Sequence, residues 1–255
     1  MKTEQTRKGH AQPEQTMKPH IHLSPSRSYA RAIVCGSPER AEFISHVLEN
    51  SKCLARHREY HSYLGTYSGQ EIIVVSHGVG SAGAAICFQE LIDVGARAII
   101  RIGTAGGLYD GSGIGDIVIA TAAIRRDGVT GLMVPPHVPA VPDIALTYAL
   151  MTAAQKGPLP AKAGMILTSD LFYGGVLDDE LELHAKSGAI AVEMECSTLF
   201  IIGLLRKVKT AAILVLDGNP LKWAEGQYDP SPDRLQASTE ACVQAALGAL
   251  VGAEV

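Results

Sequence analysis

The stretch Ile99-Ile100-Arg101-Ile102-Gly103-Thr104-Ala105-Gly106-Gly107 sets a permanent cation inside an apolar run that breaks into glycines. An arginine is almost never fully buried unless paired, so something anionic must meet Arg101. Glycines let backbone N–H groups approach an anion closely, and Thr104 adds a hydroxyl donor. Together they suit a small oxyanion at the carboxyl end of a core strand. The plainer alternative is an arginine salt-bridged to a protein carboxylate beneath a tight turn. A second candidate anion site is Gly36-Ser37-Pro38-Glu39-Arg40. Pro38 suits the first turn of a helix, whose N-terminus offers unpaired N–H groups. Arg40 falls in that turn, where a cation opposes the helix dipole unless an anion is bound or the side chain faces solvent.

The acidic candidates are Glu193 and Glu195, which flank Met194 just before an apolar segment, and Asp217, which closes another. Carboxylates at a helix start can be simple dipole partners, or one of them can accept two hydrogen bonds from the vicinal hydroxyls of a sugar. An Asp at the end of a core strand either caps the next turn or stands where α/β proteins bind ligands. His20 and His22 lie close to the first strand, and are surface residues otherwise.

These residues need elements to hold them. Ala30 to Cys35 reads as the first strand, followed by a helix from about Glu39 to Asn50. Tyr60–Tyr67 and Glu71–Ser76 read as a hairpin turning at Ser68-Gly69, with Arg56 to Glu59 as a charged edge ahead of it. The turn His77-Gly78-Val79-Gly80-Ser81-Ala82-Gly83 leads into a helix ending near Val94, and then into the Arg101 strand. That makes a βαβ unit without the acidic residue a dinucleotide site requires. Gly115–Ala120 is a strand, Arg125 to Gly128 a turn, 131–142 a proline-rich ordered loop and Ile144–Gln155 a helix. Gly164–Thr168 is a short strand delivering Ser169-Asp170-Leu171-Phe172-Tyr173, with a helix over 178–187. Ile190-Ala191-Val192 precedes Glu193, Cys196–Leu205 is helical, and Thr210–Leu216 is the last core strand. Residues 218–233, polar and rich in Gly and Pro, read as a mobile lid, and a helix from about Pro232 to Val251 closes the chain.

Composition narrows the class. The chain has 255 residues, 47% of them hydrophobic and 19% charged, which suits one large α/β domain. Residues 1–18 read as a disordered tail ahead of a domain over 19–255. A net charge of −4 offers no basic field for nucleic acid or an anionic membrane. No apolar run is long enough to span a bilayer and no secretory signal opens the chain. The five cysteines are scattered without CxxC spacing, so neither disulfides nor a metal site is expected. A cytoplasmic location fits best.

From Pro19 onward the chain resembles the nucleoside phosphorylase family. The likeness rests on Gly36-Ser37-Pro38-Glu39-Arg40, Arg58 ahead of Gly65-Thr66-Tyr67-Ser68-Gly69, Arg101 to Gly106, Ser169 to Tyr173, and Val192 to Glu195. Within the family, Leu204 to Thr210 and Asp217 to Trp223 look most like the purine-specific branch of apicomplexan parasites. The resemblance implies a single α/β domain whose central mixed β-sheet forms a distorted barrel flanked by helices. It also implies a homo-oligomer, a hexamer built as a trimer of dimers. Gly36, Arg40, Arg101 and Thr104 would hold phosphate, joined by Arg58 from a neighbouring subunit. His20, sixteen residues before Gly36, is preferred to His22 for reaching across the same interface to the ribose 5′-hydroxyl. Met194 and Glu195 would contact the ribose, Tyr173, Val192 and Glu193 would line the nucleoside pocket, and Trp223 would belong to the lid.

The expected reaction is phosphorolysis of a purine nucleoside, with inosine and guanosine preferred. Inorganic phosphate is a co-substrate, and no cofactor or metal is expected. Asp217 would be the acid, giving a proton or hydrogen bond to purine N7. Three departures from the family pattern stand out. Ser37 replaces the usual Asp, which puts phosphate affinity in question. Ala82-Gly83 stands where Pro-Ser is usual. Pro230 occupies the place of an Arg that assists the acid in bacterial hexameric relatives. The alternative is a uridine phosphorylase, which His57 to Glu59 and Val129 to Val141 resemble. A hydrolase and a non-catalytic nucleoside binder on the same scaffold are weaker, because the three arginines and Asp217 suit neither.

Overall fold

The structure is a computed structural model. It describes residues 17–25, 29–225, 228–229 and 232–255, without the side chains of 223–225 and 232–234. The expected tail therefore lies largely outside the described residues, although Lys18 is already engaged, with Nζ 2.8 Å from Asp93 Oδ2.

One sheet organises the chain. Its strands are β1 (Arg31–Cys35), β2 (Glu49–His57), β3 (Tyr60–Tyr67), β4 (Gln70–Ser76), β5 (Ala98–Gly107), β6 (Ile117–Arg126), β7 (Ala161–Ser169), β8 (Ala191–Glu193) and β9 (Lys209–Gly218). They run in the order β2-β3-β4-β1-β5-β8-β7-β6-β9, and β5 also pairs with β9. That extra pairing closes β5, β8, β7, β6 and β9 into a ring, with the other four strands as a flange. β1–β4, β1–β5, β5–β9, β6–β7 and β7–β8 are parallel, and the remaining ladders are antiparallel. The sheet is thus the mixed, distorted barrel that the resemblance implies.

Helices cover both faces. α1 (Pro38–Ser45), α4 (Ile144–Gln155) and α7 (Pro232–Val251) lie on one, and α2 (Ser81–Asp93) and α6 (Cys196–Arg206) on the other; α3 (Gly128–Met133) and α5 (Leu181–Lys186) are short connectors. The strand pleat sorts β5 between the two cores. Ala98, Ile100 and Ile102 pack among residues of α1, α4 and α7, while Ile99, and by parity Arg101, face the α2 and α6 side. Strands covered on both faces have no polar side to show, which is why β1, β5 and β9 read as continuous apolar runs.

Several elements differ from expectation. The first helix ends at Ser45 instead of near Asn50, and Glu49–His57 forms edge strand β2. An edge strand exposed along most of its length carries no apolar alternation to reveal it. Second, β6 runs through to Arg126, and the expected turn at Arg125 to Gly128 is instead its end joined to α3, capped by Asp127 through Thr130 N. The helix expected over 178–187 is reduced to Leu181–Lys186, preceded by local turns in which Asp178 and Asp179 accept from Glu180 N and Leu181 N. Part of the expected lid folds as a 3-10 turn over Pro220–Glu225.

Candidate active site

The carboxyl ends of parallel strands β1, β5 and β9 converge on a cavity of about 390 Å³. Ends of this kind, where connections diverge, are where α/β sheets place ligands. β1 delivers Gly36, Ser37 and Arg40. β5 delivers Arg101, Thr104 and Gly106. β8 delivers Val192 to Glu195, and β9 delivers Asp217. Nine of the thirteen expected site residues line this one space: Gly36, Arg40, Arg101, Thr104, Val192, Glu193, Met194, Glu195 and Asp217.

Arg101 is buried and salt-bridged to protein carboxylates, as the plainer alternative has it. Its Nε lies 3.3 Å from Glu193 Oε2, its NH2 group bonds Glu195 Oε2, and NH1 lies 3.2 Å from His77 Nε2. It is therefore salt-bridged, and it also forms a wall of the cavity. Burial works against its charge, but Glu195 and Glu193 outweigh burial and hold its proton more tightly than usual. Glu193 accepts from the Thr168 hydroxyl at 2.6 Å and from Glu195 N and Cys196 N at 2.8 and 2.9 Å. The carboxylate thus receives the free N–H groups at the start of α6, in the dipole role. Burial raises the Glu193 carboxyl, opposed by Arg101 and by these donors. Glu195 takes Gly80 N at 2.6 Å on its other oxygen.

Asp217 owes its placement to a β-bulge. The β5–β9 ladder pairs Ala105 with Leu216 and then Gly106 with Gly218, so Asp217 is the extra residue with no partner across the ladder. Bulges re-aim a side chain out of the regular pleat, and this one lines the cavity. Burial pushes the Asp217 carboxyl up to about 6, against the lowering effects of the Thr104 hydroxyl and of Arg40. Perturbed acids of this kind cluster at functional sites.

Arg40 sits in the first turn of α1. Ser37 caps that helix, its hydroxyl accepting from Arg40 N at 3.2 Å. The cap does not need the carboxylate that Ser37 replaces, since Ser and Asp cap comparably. Among the described residues Arg40 makes no salt bridge, and it borders both the main cavity and an adjoining one between α1 and α7.

Three of the expected residues lie elsewhere. Arg58 is exposed at the β2–β3 turn, with φ +53°. His20 is held by Glu90, whose Oε1 lies 2.6 Å from its Nδ1 and whose other oxygen takes His20 N and Ile21 N; His22 stacks on His57. Tyr173 is 79% exposed and does not line the cavity, whereas its neighbour Phe172 does. The two rings pack edge-on, with centroids 5.0 Å apart, so Phe172 stands between the cavity and Tyr173. The Trp223 side chain lies outside the described residues. Tyr228, which contributes to the cavity, was not expected. Its ring lies 6.0 Å from that of Phe172, where the long-range pairing of Gly218 with Tyr228 places it.

The model of the Phosphorylase superfamily matches residues 30–251. The chain belongs to the phosphorylase superfamily. It is 41% identical to a purine nucleoside phosphorylase of Plasmodium vivax over 91% of this chain and 98% of that protein. It is 35% identical to a uridine phosphorylase of Treponema pallidum over 82% of this chain and 85% of that one. Among solved structures, a purine nucleoside phosphorylase of Toxoplasma gondii in complex with immucillin-H superposes with a TM-score of 0.90 at 34% identity, covering 94% of this chain and 97% of that one. The phosphorylase-superfamily match begins near β1 and ends at α7, so it takes in every strand that supplies the cavity.

Proposed function

We propose that this chain is a purine nucleoside phosphorylase, cleaving inosine and guanosine with inorganic phosphate to the free base and ribose 1-phosphate. The observation that carries the reading is a carboxyl lifted to about 6, Asp217, in the same cavity as two arginines, Arg40 and Arg101. Phosphate is the nucleophile at the ribosyl C1′ carbon, and the C–N bond to the purine breaks. Arg40, Arg101, Thr104 and the backbone at Gly36 bind and orient the anion, a task suited to guanidinium groups. Holding both reactants aligned removes up to roughly 7–11 kcal/mol of barrier. Phosphate competes with Glu195 for the Arg101 guanidinium, and the Glu195 oxygen so released accepts from the ribose hydroxyls. Met194 and Val192 pack the nucleoside, Glu193 holds Arg101 from behind, and Phe172 with Tyr228 supplies aromatic surface for the base. The protonated Asp217 donates to purine N7 as the base leaves. A phosphate dianion nearby raises the Asp217 pKa further and keeps the proton in place.

Arg58 and His20 lie outside the cavity of their own chain. We assign them to the neighbouring site of a homo-oligomer, a hexamer built as a trimer of dimers, with Arg58 on phosphate and His20 on the ribose 5′-hydroxyl. Trp223 belongs to the lid, and Tyr173 to its outer side. No cofactor enters this scheme, the site recruits neither nucleic acid nor membrane, and the cytoplasm is the proposed location. No helix among the described residues is long and apolar enough to cross a membrane.

Uracil offers no N7 to an acid at Asp217, so purine is favoured over uridine. The test is turnover of inosine, guanosine, adenosine and uridine at saturating phosphate. Inosine and guanosine should lead, and a uridine rate above both would transfer the chain to the pyrimidine branch.

A further inference from the structure

We infer that His77 is a positioning residue for the anion site, its neutral imidazole holding the Arg101 guanidinium in the orientation that receives an oxyanion. His77 follows β4 and is fully buried. Its Nδ1 lies 2.8 Å from the carbonyl oxygen of Gly78. A carbonyl only accepts, so Nδ1 carries the proton and Nε2 is left with a lone pair. That lone pair lies 3.2 Å from Arg101 NH1. The other tautomer would set N–H against N–H. Phe88 packs edge-on against the ring at 5.4 Å. Burial and the neighbouring Arg101 both disfavour protonation of the ring.

The choice of a neutral acceptor has a reason. Glu193 and Glu195 already place two negative charges on Arg101. A third carboxylate at NH1 would leave the site strongly anionic and repel phosphate, whereas imidazole fixes NH1 without adding charge. The same turn serves the sugar side: Gly80 N donates to Glu195 Oε1 at 2.6 Å, and the Ser81 hydroxyl donates to Met194 O at 2.8 Å. The turn is itself locked. Gly78 has φ +77°, and a Cβ there would come within 2.8 Å of Glu59 Cγ. One five-residue turn thus sets both the arginine and its carboxylate partner.

This inference rests on the phosphorolysis reading only for naming the anion as phosphate. The test uses the full chain with inorganic phosphate, measured by titration calorimetry, beside KM for inosine. His77→Asn keeps a donor for Gly78 O but is too short to reach Arg101, while His77→Gln reaches it. A lost bond to a charged group predicts phosphate binding weaker by about tenfold to a hundredfold in His77→Asn, and within about threefold of the parent in His77→Gln. The inosine KM should hold in both. Unchanged phosphate affinity in His77→Asn, equal losses in the two variants, or parallel losses of phosphate and inosine would overturn the inference. If His77→Asn does not fold, His77→Gln decides alone, a tenfold weakening counting against. A parent chain that binds phosphate in this His77-dependent way yet shows no phosphate-dependent cleavage would sink the phosphorolysis reading and leave His77 in its role.

Discussion

Asp217 and Arg101 are each asked to do two things, one for the fold and one for the reaction. Replacing Asp217 by Ala should lower turnover by about 10²–10⁴-fold, the usual worth of a positioned acid, while phosphate binding persists; near-normal turnover would remove it from the mechanism. Its ionisation in the buried site also costs stability. A carboxyl raised from 3.8 to about 6 holds its proton more tightly folded than unfolded. Its stabilising contribution is therefore complete below the unfolded pKa and is lost as pH rises through about 6. Asp217→Asn should accordingly be more stable than the parent at about pH 7.5, by up to roughly 2–3 kcal/mol, with the gain gone by about pH 3. Urea unfolding at the two pH values checks the sign. Arg101 carries the opposite balance. Arg101→Leu leaves Glu193 and Glu195 buried without their cation, which should cost about 3–5 kcal/mol in urea unfolding as well as the phosphate site.

At the scale of the elements, the site is held by a helix cap, a bulge and a missing side chain. Ser37→Ala removes the cap of α1 and should cost about 1 kcal/mol of stability, whereas Ser37→Asp should hold it within a few tenths; thermal melts separate the two. On β5, a Cβ at Gly103 would come within 2.7 Å of Arg101 NH2 and 2.9 Å of Leu214. Gly103→Ala should therefore push the guanidinium off its carboxylates and raise the phosphate KM more than the nucleoside KM. These devices differ in how far the sequence discloses them. Arg101 in an apolar run, Ser37-Pro38 ahead of a helix, and Asp217 at a strand end announce themselves by local type and spacing. β2 does not, because an edge strand has no buried face to impose a period. The bulge that turns Asp217 into the cavity does not either, since it is a property of two strands' relative register. Phe172 rather than Tyr173 faces the cavity because of a loop path that no periodicity encodes, and Tyr228 arrives there through a bridge to Gly218.

At the scale of the whole molecule, the cavity of one chain lacks two of the residues assigned to it, Arg58 and His20. If each site borrows them from a neighbour, mixed assemblies of Arg58→Ala and Asp217→Ala chains regain intact sites. A chain with a sound Asp217 then meets a partner with a sound Arg58. Random mixing in two-fold pairs predicts recovery of about a quarter of parental activity, from two chains that are each nearly inactive alone. Additive, unrecovered rates after dissociation and reassembly would place Arg58 outside the site. The central claim is that phosphate, and not water, attacks the sugar. It is tested most directly by following inosine and inorganic phosphate with the enzyme by ³¹P NMR. The account predicts a ribose 1-phosphate resonance growing in step with hypoxanthine as the phosphate signal falls. Hypoxanthine released with free ribose, at an unchanged phosphate signal, would contradict it.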